Sequence, residues 1–343
     1  MEVIDIRLYS KEPHVSQILT GFCMLKKAGK VQYKIQESNA SINIKGAFVE
    51  VIYKGKKIIY DVSDGYQDKY VMLELLKQCD FYFKRSFSRE KNKVLGELAA
   101  NKMFPLGLNY HVSCPSHPLD KPYWKERTKQ ILRIEHNMYS NTYFSVKRFE
   151  EKPKYKSQPF KILFATRLWG PDQFLSEQLN EERRYINEMR INIIRLLKEM
   201  RGVEFIGGIS DNDFSRKTAP DLIMPEKITN RKSYIKLLHT ADIGIGTMGL
   251  HESIGWKTGE YVAAAKAIIN ETFHYQIPGD FCEGKNYFEF SNVEECIERV
   301  KKLIKDPDKL YEMKLANQAY YNRYLRPDRM MGNTLEMVDQ LMT

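Results

Sequence analysis

The sequence has 343 residues, of which 43% are hydrophobic and 29% charged, with 21 Tyr, 17 Phe and a formal net charge of +10. This composition excludes a largely disordered chain, and the length predicts two domains. The N-terminal residues lack the basic and apolar regions of a signal peptide, and no apolar run approaches the roughly 20 residues that cross a bilayer. Five Cys without a CxxC pair favour a reducing compartment, so we expect a cytoplasmic protein.

The first half of the chain alternates strand and helix patterns. Two β-rich runs over 48–62 flank Lys54-Gly55 and predict a hairpin. The other predicted elements are a strand over 3–9, a helix over 15–29, a helix over 68–79, a strand over 80–85, a helix over 88–102 and a strand over 104–112. The charged stretch 148–159 contains two prolines and no apolar period, which indicates a linker.

The pattern restarts after this linker. Predicted strands cover 160–166, 203–208, 221–225, 242–247, 266–271 and 287–290, with helices between them and an all-helical end from about 292. Short apolar strands that alternate with helices indicate a parallel sheet covered on both faces. We therefore predict an N-terminal domain over 1–152, a second domain over 158–325, and a helix over 326–343 that packs back toward the N-terminal domain.

One stretch, 246–271, combines several glycines with two glutamates. Glycines in a loop after strand 242–247 would let backbone amides approach a diphosphate, and a helix that begins near Lys257 would point its positive end there. Glu260, in the first turn, could accept two hydrogen bonds from a ribose diol, and Glu252 could hold sugar hydroxyls. Taken singly, each glutamate is better explained without a ligand: Glu260 as a complement to the helix dipole and Glu252 as a solvated side chain.

Two other functions are open to the sequence. Gly244, Gly246 and Gly249 spell GxGxxG, with Glu271 about 20 residues on, which suggests an NAD(P)-dependent oxidoreductase. That fingerprint needs a helix that opens inside the motif, whereas the helix here begins only near Lys257. The net charge suggests a nucleic-acid-binding protein, but basic and acidic residues alternate, so we expect no nucleic-acid partner.

The spacing E-x7-E at Glu252 and Glu260 resembles the donor-site motif of GT-B glycosyltransferases, above all the retaining group 1 family. Segments around it also resemble that family: "KILFATRLW", "TADIGIGT", "GEYVAAAKAIINE" and "EGKNYFEFSNVEECIERVKKLIKD". The resemblance implies two Rossmann-like α/β domains that face each other across a cleft, with a helical C-terminal tail. It further implies metal-independent, retaining transfer of a sugar from a UDP- or GDP-sugar, with no required cofactor.

The resemblance also assigns roles to individual residues. Glu260 would hold the ribose, Glu252 the donor sugar and Arg167 the diphosphate. The family's lysine, a few residues after the arginine, is missing here, so we expect Lys257 to supply the second positive charge. The remaining nucleotide-sugar contacts are expected from Thr247, Gly249, His251, Ser253, Ile254 and Gly255. On this basis Glu260→Ala is expected to weaken donor binding and to leave the fold intact.

The acceptor side is less defined by the sequence. His14, Asp64 and Arg85 follow predicted strands of the first domain and are candidates for binding an acceptor. Such an acceptor would be a cell-surface polysaccharide, a glycolipid or a glycan precursor used in building the cell envelope. The basic segment 88–102 suggests peripheral contact with an anionic membrane on its inner face. The DxD at Asp211 and Asp213 is expected to form a turn, so we predict no metal site. The sequence leaves open the donor sugar, the base, the acceptor and the stereochemical outcome.

Overall fold

A computed structural model describes residues 2–9, 13–37, 46–119, 144–156 and 158–343. Contacts between Cα atoms divide the chain into two compact units, which we call unit 1 (Met1–Arg148 with Arg326–Thr343) and unit 2 (Phe149–Leu325). Each unit contains one sheet with helices packed on it. The prediction of an α/β protein with two such units and a helical C-terminal segment is confirmed.

The sheet of unit 1 is mixed. Its strands are β1 (Glu2–Leu8), β2 (Val31–Glu37), β3 (Phe48–Tyr53), β4 (Lys56–Asp61), β5 (Phe81–Lys84) and β6 (Met103–Pro105). They lie in the order β2-β1-β3-β4-β5-β6, and only β3 runs antiparallel to its neighbours among these described strands. The carboxyl ends of β1, β4 and β5 therefore lie at one edge of the sheet.

Short helices connect these strands. They are α1 (Ser16–Lys27), α2 (Lys69–Lys77), α3 (Arg89–Lys93), α4 (Glu97–Lys102) and α5 (Val146–Phe149), the last at the boundary between the units. The predicted helix over 88–102 is two helices because Gly96 adopts φ 74°, a left-handed conformation that interrupts an α-helix. The Ser88 hydroxyl accepts a hydrogen bond from Lys91 N at 3.3 Å, so it caps α3.

The sheet of unit 2 is fully parallel over its described strands. These are β7 (Phe160–Thr166), β8 (Val203–Ile209), β9 (Ile243–Gly246), β10 (Ala267–Glu271) and β11 (Phe288–Phe290), in the order β8-β7-β9-β10-β11. In chain order this is 2-1-3-4-5, one of the two common doubly wound arrangements. The strand order reverses between β7 and β9, which makes their carboxyl ends the topological switch point of the sheet.

Helices cover both faces of this sheet. They are α6 (Glu177–Glu199), α7 (Asp213–Thr218), α8 (Glu226–Thr229), α9 (Arg231–Thr240), α10 (Trp256–Ala263), α11 (Val293–Lys305) and α12 (Pro307–Tyr320). Ile243 and Ile245 of β9 share a buried core with Ile193 of α6, whereas Gly244 between them faces the ring of Tyr261 on α10. This alternation is the pattern expected of a strand buried on both sides.

The last helix, α13 (Pro327–Met342), belongs to unit 1. It packs so closely on α1 that a Cβ at Gly21 would collide with the carbonyl oxygen of Pro327 and with Met331. The Thr334 hydroxyl lies 2.8 Å from the hydroxyl of Tyr60 on β4. The helix therefore completes the buried interior of unit 1.

The structure confirms one local prediction and corrects several others. The hairpin is confirmed, with Lys54 and Gly55 at φ 49° and 76°, the left-handed pair that a tight two-residue turn requires. The strand β2 was not predicted, and of the predicted strand over 104–112 only 104–105 lie in a strand, β6. The predicted strand over 221–225 is instead a 3-10 helix over Pro220–Leu222. Of the predicted linker, 150–156 has no regular secondary structure, and residue 157 lies outside the described residues.

Candidate active site

Two segments of unit 2 meet at the switch point of its sheet. Arg167 follows β7 directly, and the loop 247–255 joins β9 to α10. In open α/β sheets, ligands bind outside the carboxyl ends of the strands at such a point. The fold alone therefore selects this edge as the candidate site, and it contains most of the residues that the sequence singled out.

Close backbone contacts give the loop its shape. Gly249 N donates to the Ser253 carbonyl at 2.7 Å, and a Cβ at Gly249 would lie 2.7 Å from the Ser253 hydroxyl. At the other end, a Cβ at Gly255 would lie 3.3 Å from the Thr247 carbonyl oxygen. Both glycines thus lie where the loop folds closely on itself, and Ser253 and Ile254 are buried within it.

His251 and Glu252 hold the loop in a strained conformation. Their φ angles are 59° and 57°, in the left-handed region, which costs a non-glycine residue roughly 1–2 kcal/mol. Two hydrogen bonds from outside the loop stabilise this conformation. The buried Tyr275 hydroxyl donates to the His251 carbonyl at 2.8 Å, and Glu252 N donates to Glu182 Oε1 at 2.9 Å. Strain of this kind is often found at functional sites.

The Glu252 carboxylate is 42% exposed, and its Oε1 lies 3.8 Å from Nδ1 of His274, which is 38% exposed. Arg167 is also exposed, and its guanidinium lies 5.2 Å from the ring centroid of Trp169. Both side chains that the sequence assigned to the reacting end of a donor are therefore accessible at this edge. One is anionic and suited to sugar hydroxyls, and the other is cationic and suited to phosphate.

Arg190, on α6, joins the two segments and was not predicted from the sequence. Its Nε donates to the Thr247 hydroxyl at 3.0 Å, its Nη1 to the Arg167 carbonyl at 2.7 Å and its Nη2 to the Met248 carbonyl at 3.0 Å. The guanidinium lies 4.4 Å from the Trp169 ring centroid. Burial lowers the pKa of Arg190 to about 9, with Arg167 adding to this shift and Glu271 opposing it.

Glu271 ends β10 on the same side of the sheet. Its Oε2 accepts a hydrogen bond from Met248 N at 2.9 Å. Since Arg190 donates to the Met248 carbonyl, both backbone polar groups of Met248 are hydrogen-bonded to side chains. Burial raises the pKa of the Glu271 carboxyl, against the opposing effects of the Met248 amide and the charge of Arg190. This raised pKa shows that burial outweighs the nearby positive charge.

Glu260 lies on the other face of the sheet, in a buried cluster. It is 2% exposed; its Oε1 lies 2.9 Å from Arg231 Nη2, and its Oε2 accepts a 2.7 Å hydrogen bond from the Tyr234 hydroxyl. Lys257 Nζ lies 3.6 Å from Oε2 and 3.4 Å from the Tyr234 ring centroid. Although burial favours the neutral acid, the charges of Arg231 and Lys257 prevail and lower the pKa of Glu260.

This cluster changes how two sequence expectations are understood. Lys257 faces Glu260 and Tyr234, and burial lowers the pKa of its ammonium group to about 8, with Arg231 adding to this shift and Glu260 opposing it. Glu260 was expected at a helix start and not in a core, so that replacement by Ala leaves the fold intact. The structure corrects that premise, because the carboxylate is the common partner of two cations and a buried hydroxyl.

The residues proposed for the acceptor lie in unit 1. Arg85 is buried and pairs with Asp64 at 2.5 Å, after the carboxyl ends of β5 and β4. His14 follows β1, and its carbonyl accepts a hydrogen bond from Asn109 Nδ2 at 3.1 Å. Sequence reasoning missed a fully buried ion pair at the same edge, in which Lys84 Nζ lies 2.6 Å from Asp61 Oδ2. The Tyr82 hydroxyl donates to the same oxygen at 2.8 Å.

The oxidoreductase alternative does not fit the geometry. Gly244 and Gly246 lie within β9, so no helix opens inside the GxGxxG motif. A Cβ at Gly244 would lie 2.5 Å from the ring of Tyr261, and one at Gly246 would collide with the Asn270 side chain. These two glycines are therefore explained by packing of the sheet and not by a pyrophosphate.

Neither a metal site nor a membrane span was found where the structure describes the chain. No cluster of three His, Cys, Asp or Glu side chains within residues 2–9, 13–37, 46–119, 144–156 and 158–343 could hold a metal ion. Asp211 of the DxD pairs with Arg216 at 2.7 Å beside the start of α7. The described helices include none that is long and apolar enough to cross a bilayer.

No protein-family model matches the chain, and no curated protein matches it. Among solved structures, it is similar to the C-terminal domain of a group 1 family glycosyl transferase, LpcC from Francisella tularensis, with 14% identity over 52% of this chain and 95% of that one and a TM-score of 0.35. It is similar to HepE from Anabaena in complex with UDP, with 10% identity over 99% and 100% of the two chains and a TM-score of 0.37. The S. aureus MnaA–UDP structure gives 10% identity over 100% and 97% and a TM-score of 0.42. Similarities this low carry no inference about activity, which has to come from the site itself.

Proposed function

We propose that this protein is a glycosyltransferase that moves a sugar from a nucleoside-diphosphate sugar to an acceptor hydroxyl. The observation that carries the proposal is the pairing of an exposed cation, Arg167, with a strained, carboxylate-bearing loop at the switch point of a parallel sheet. A diphosphate sugar needs both features, since its phosphates are anionic and its sugar presents hydroxyl groups.

The proposed reaction exchanges one bond at the anomeric carbon. The bond from that carbon to the diphosphate oxygen breaks, and its electron pair leaves with the nucleoside diphosphate. The acceptor oxygen forms the new bond to the same carbon, and the acceptor proton passes to the departing phosphate oxygen. Arg167 stabilises the negative charge that develops on the diphosphate, which is the contribution expected to dominate the rate. The resemblance of 242–271 to a retaining family supports retention of configuration.

Glu252 is the proposed ligand of the donor sugar. The hydrogen bonds to the His251 carbonyl and the Glu252 amide fix the backbone before the donor arrives. A backbone held in this way loses little further freedom on binding, so less of the binding energy is spent on ordering the loop that carries Glu252. Thr247, Gly249, Ser253, Ile254 and Gly255 serve this role indirectly, since they shape the loop that presents Glu252.

Glu260 is the proposed ligand of the ribose. A carboxylate offers about four lone-pair sites, and the contacts with Arg231 and Tyr234 use only part of them. Lys257 has the longest contact to the carboxylate, 3.6 Å, and is more exposed than Arg231, so it is the partner that would yield to a ribose diol. Arg231 and Tyr234 would keep the carboxylate oriented.

The net charge of the protein supports an anionic acceptor. A net charge of +10 suits an anionic lipid-linked or surface-polymer acceptor at a membrane surface, with Asp64, Arg85 and His14 as candidate contacts. Co-sedimentation with liposomes at low salt checks the membrane contact. Equal binding to anionic and neutral liposomes would remove it from the proposal.

Calorimetry and a donor panel test the function. We expect UDP or GDP to raise the melting temperature by mass action while NAD does not, and we expect one UDP- or GDP-sugar to be hydrolysed slowly without an acceptor. Glu252→Gln should lower turnover and preserve binding of the free nucleoside diphosphate. Glu298→Gln is the matched control, because Glu298 is an exposed glutamate on α11, outside the loop 247–255. Stabilisation by NAD alone, or equal turnover in the two variants, would contradict the proposal.

A further inference from the structure

Arg190 is a buried cation whose charge lacks a direct anionic partner. The side chain is 5% exposed. Its hydrogen bonds go to two carbonyls and one hydroxyl, and none of the ion pairs among the described residues of the two units includes it. The charge of Glu271 acts on Arg190 electrostatically. Its Oε2, however, accepts a hydrogen bond from Met248 N and none from Arg190. A buried charge without a partner is normally unfavourable, so its presence requires an explanation.

The hydrogen-bond inventory shows that Arg190 has donors to spare. A guanidinium carries five N–H groups, and the contacts to Thr247, Arg167 and Met248 use three of them. The Trp169 ring covers one part of the group at 4.4 Å. The remaining donors, together with the full positive charge, suit an anion with several oxygen acceptors, because a guanidinium binds phosphate through paired hydrogen bonds.

The position of Arg190 matches that chemistry. Its acceptors are the first residue after β7 and the first two residues after β9, so the guanidinium lies between the two strand ends that form the switch point. Arg190 donates a hydrogen bond to the backbone carbonyl of Arg167, whose own guanidinium is exposed. Lys257, which the sequence suggested as the second cation, instead contacts Glu260 on the same helix, α10.

We propose that Arg190 is a binding residue for the diphosphate of the donor and supplies the second positive charge of the site. This inference rests on the proposed function, since it deepens the description of the same site. A phosphate oxygen that enters between the ends of β7 and β9 accepts the spare N–H groups of Arg190, and Arg167 binds the diphosphate from the solvent side. The anion then provides the counter-charge that the buried guanidinium lacks.

A purely structural role is the alternative to be separated. Arg190 could serve only to tie the two strand ends together through its three hydrogen bonds. In that case its loss would disturb the whole site and weaken every ligand alike. A diphosphate-binding role makes a narrower prediction, because it affects only ligands that carry phosphates.

Titration calorimetry with uridine, UMP and UDP, and with the guanosine series, separates the two. Arg190→Gln should weaken binding of the preferred nucleoside diphosphate by about tenfold to a hundredfold, the range of a charge-assisted hydrogen bond, and should leave the free nucleoside within about twofold. Arg195→Gln is the matched control: it removes a charge from the same helix, at a side chain that is 50% exposed, and should change neither affinity.

Should Arg190→Gln fail to fold, Arg190→Lys provides the same test. It keeps the charge but loses the forked donors, so the diphosphate should still bind about tenfold more weakly with nucleoside affinity preserved. Equal losses for nucleoside and diphosphate, or no loss for the diphosphate, would overturn the role of Arg190. If the unaltered protein binds no nucleoside diphosphate at all, the proposed function fails as well, so the two failures are distinguishable.

Discussion

Replacing Glu260 by Ala should destabilise unit 2. The carboxylate is the shared partner of Arg231 at 2.9 Å and the buried Tyr234 hydroxyl at 2.7 Å, with Lys257 at 3.6 Å. Removing one member of a buried ion pair costs about 3–5 kcal/mol, because it leaves the other charge without a partner. Arg231 is 21% exposed and Lys257 37% exposed, so water can solvate them in part. We therefore expect a loss of about 2–4 kcal/mol.

Thermal unfolding followed by calorimetry measures this loss. For a unit that spans 149–325, each kcal/mol corresponds to about 2–4 °C, so the melting temperature of unit 2 should fall by roughly 5–15 °C. Glu260→Gln keeps an acceptor for Tyr234 and should lie between Ala and the unaltered protein. Glu312→Ala is the control, since it breaks only the exposed pair with Lys309 at 3.3 Å and should cost at most about 0.5 kcal/mol. If the Glu260→Ala variant has the same melting temperature as this control, the buried cluster does not stabilise unit 2.

Three further predictions concern the same unit. Because burial raises the pKa of Glu271, the folded state binds more protons than the unfolded state above pH 4.5. The contribution of Glu271 to stability is therefore lost as the pH rises from 4.5 through the raised pKa of the folded state. Glu271→Gln should remove this contribution to the pH dependence, so that the variant melts higher than the unaltered protein at pH 7 and at the same temperature near pH 4. Gly244→Ala should cost about 1–3 kcal/mol, since its Cβ would meet the Tyr261 ring at 2.5 Å, and an unchanged midpoint in chemical denaturation would show that the strand and helix are less tightly packed. Tyr275→Phe removes the hydrogen bond to the His251 carbonyl, so amide hydrogens of 248–253 should exchange faster; unaltered exchange would mean that the loop keeps its conformation without that bond.

The part of the site that is local in sequence could be predicted. Gly249, Glu252 and Gly255 fall within one loop, so their spacing already placed them together after β9. The partners of Glu260 could not be found in the same way, since Arg231 and Tyr234 come from a separate helix, α9, that only the tertiary fold brings to α10.

The sequence position of Arg190 is unusual for a charged residue. It lies four residues after Ile186 and three before Ile193, so it interrupts the apolar stripe of α6 with a charge. A cation at a core position needs either a partner or a function. Ile186, Met189 and Ile193 of this stripe are buried, and the charged residue among them, Arg190, is buried as well.

The secondary-structure errors also have physical causes. Val31, Tyr33 and Ile35 alternate with polar residues as a half-buried strand requires, but the run is short and polar overall. The run 221–225 is preceded by Pro220 and ends in Pro225, neither of which can donate to a ladder, and Ile223 makes only a single bridge to Ile209.

The membership of α13 in unit 1 affects the order in which the chain can fold during synthesis. Residues 149–325 lie between α1 and α13 in the chain, so the α1 surface around Gly21 cannot be covered by α13 until all of unit 2 has been synthesised. Domains generally fold as units. Unit 1 can therefore complete its buried interior only after synthesis of unit 2, although most of its residues are made first.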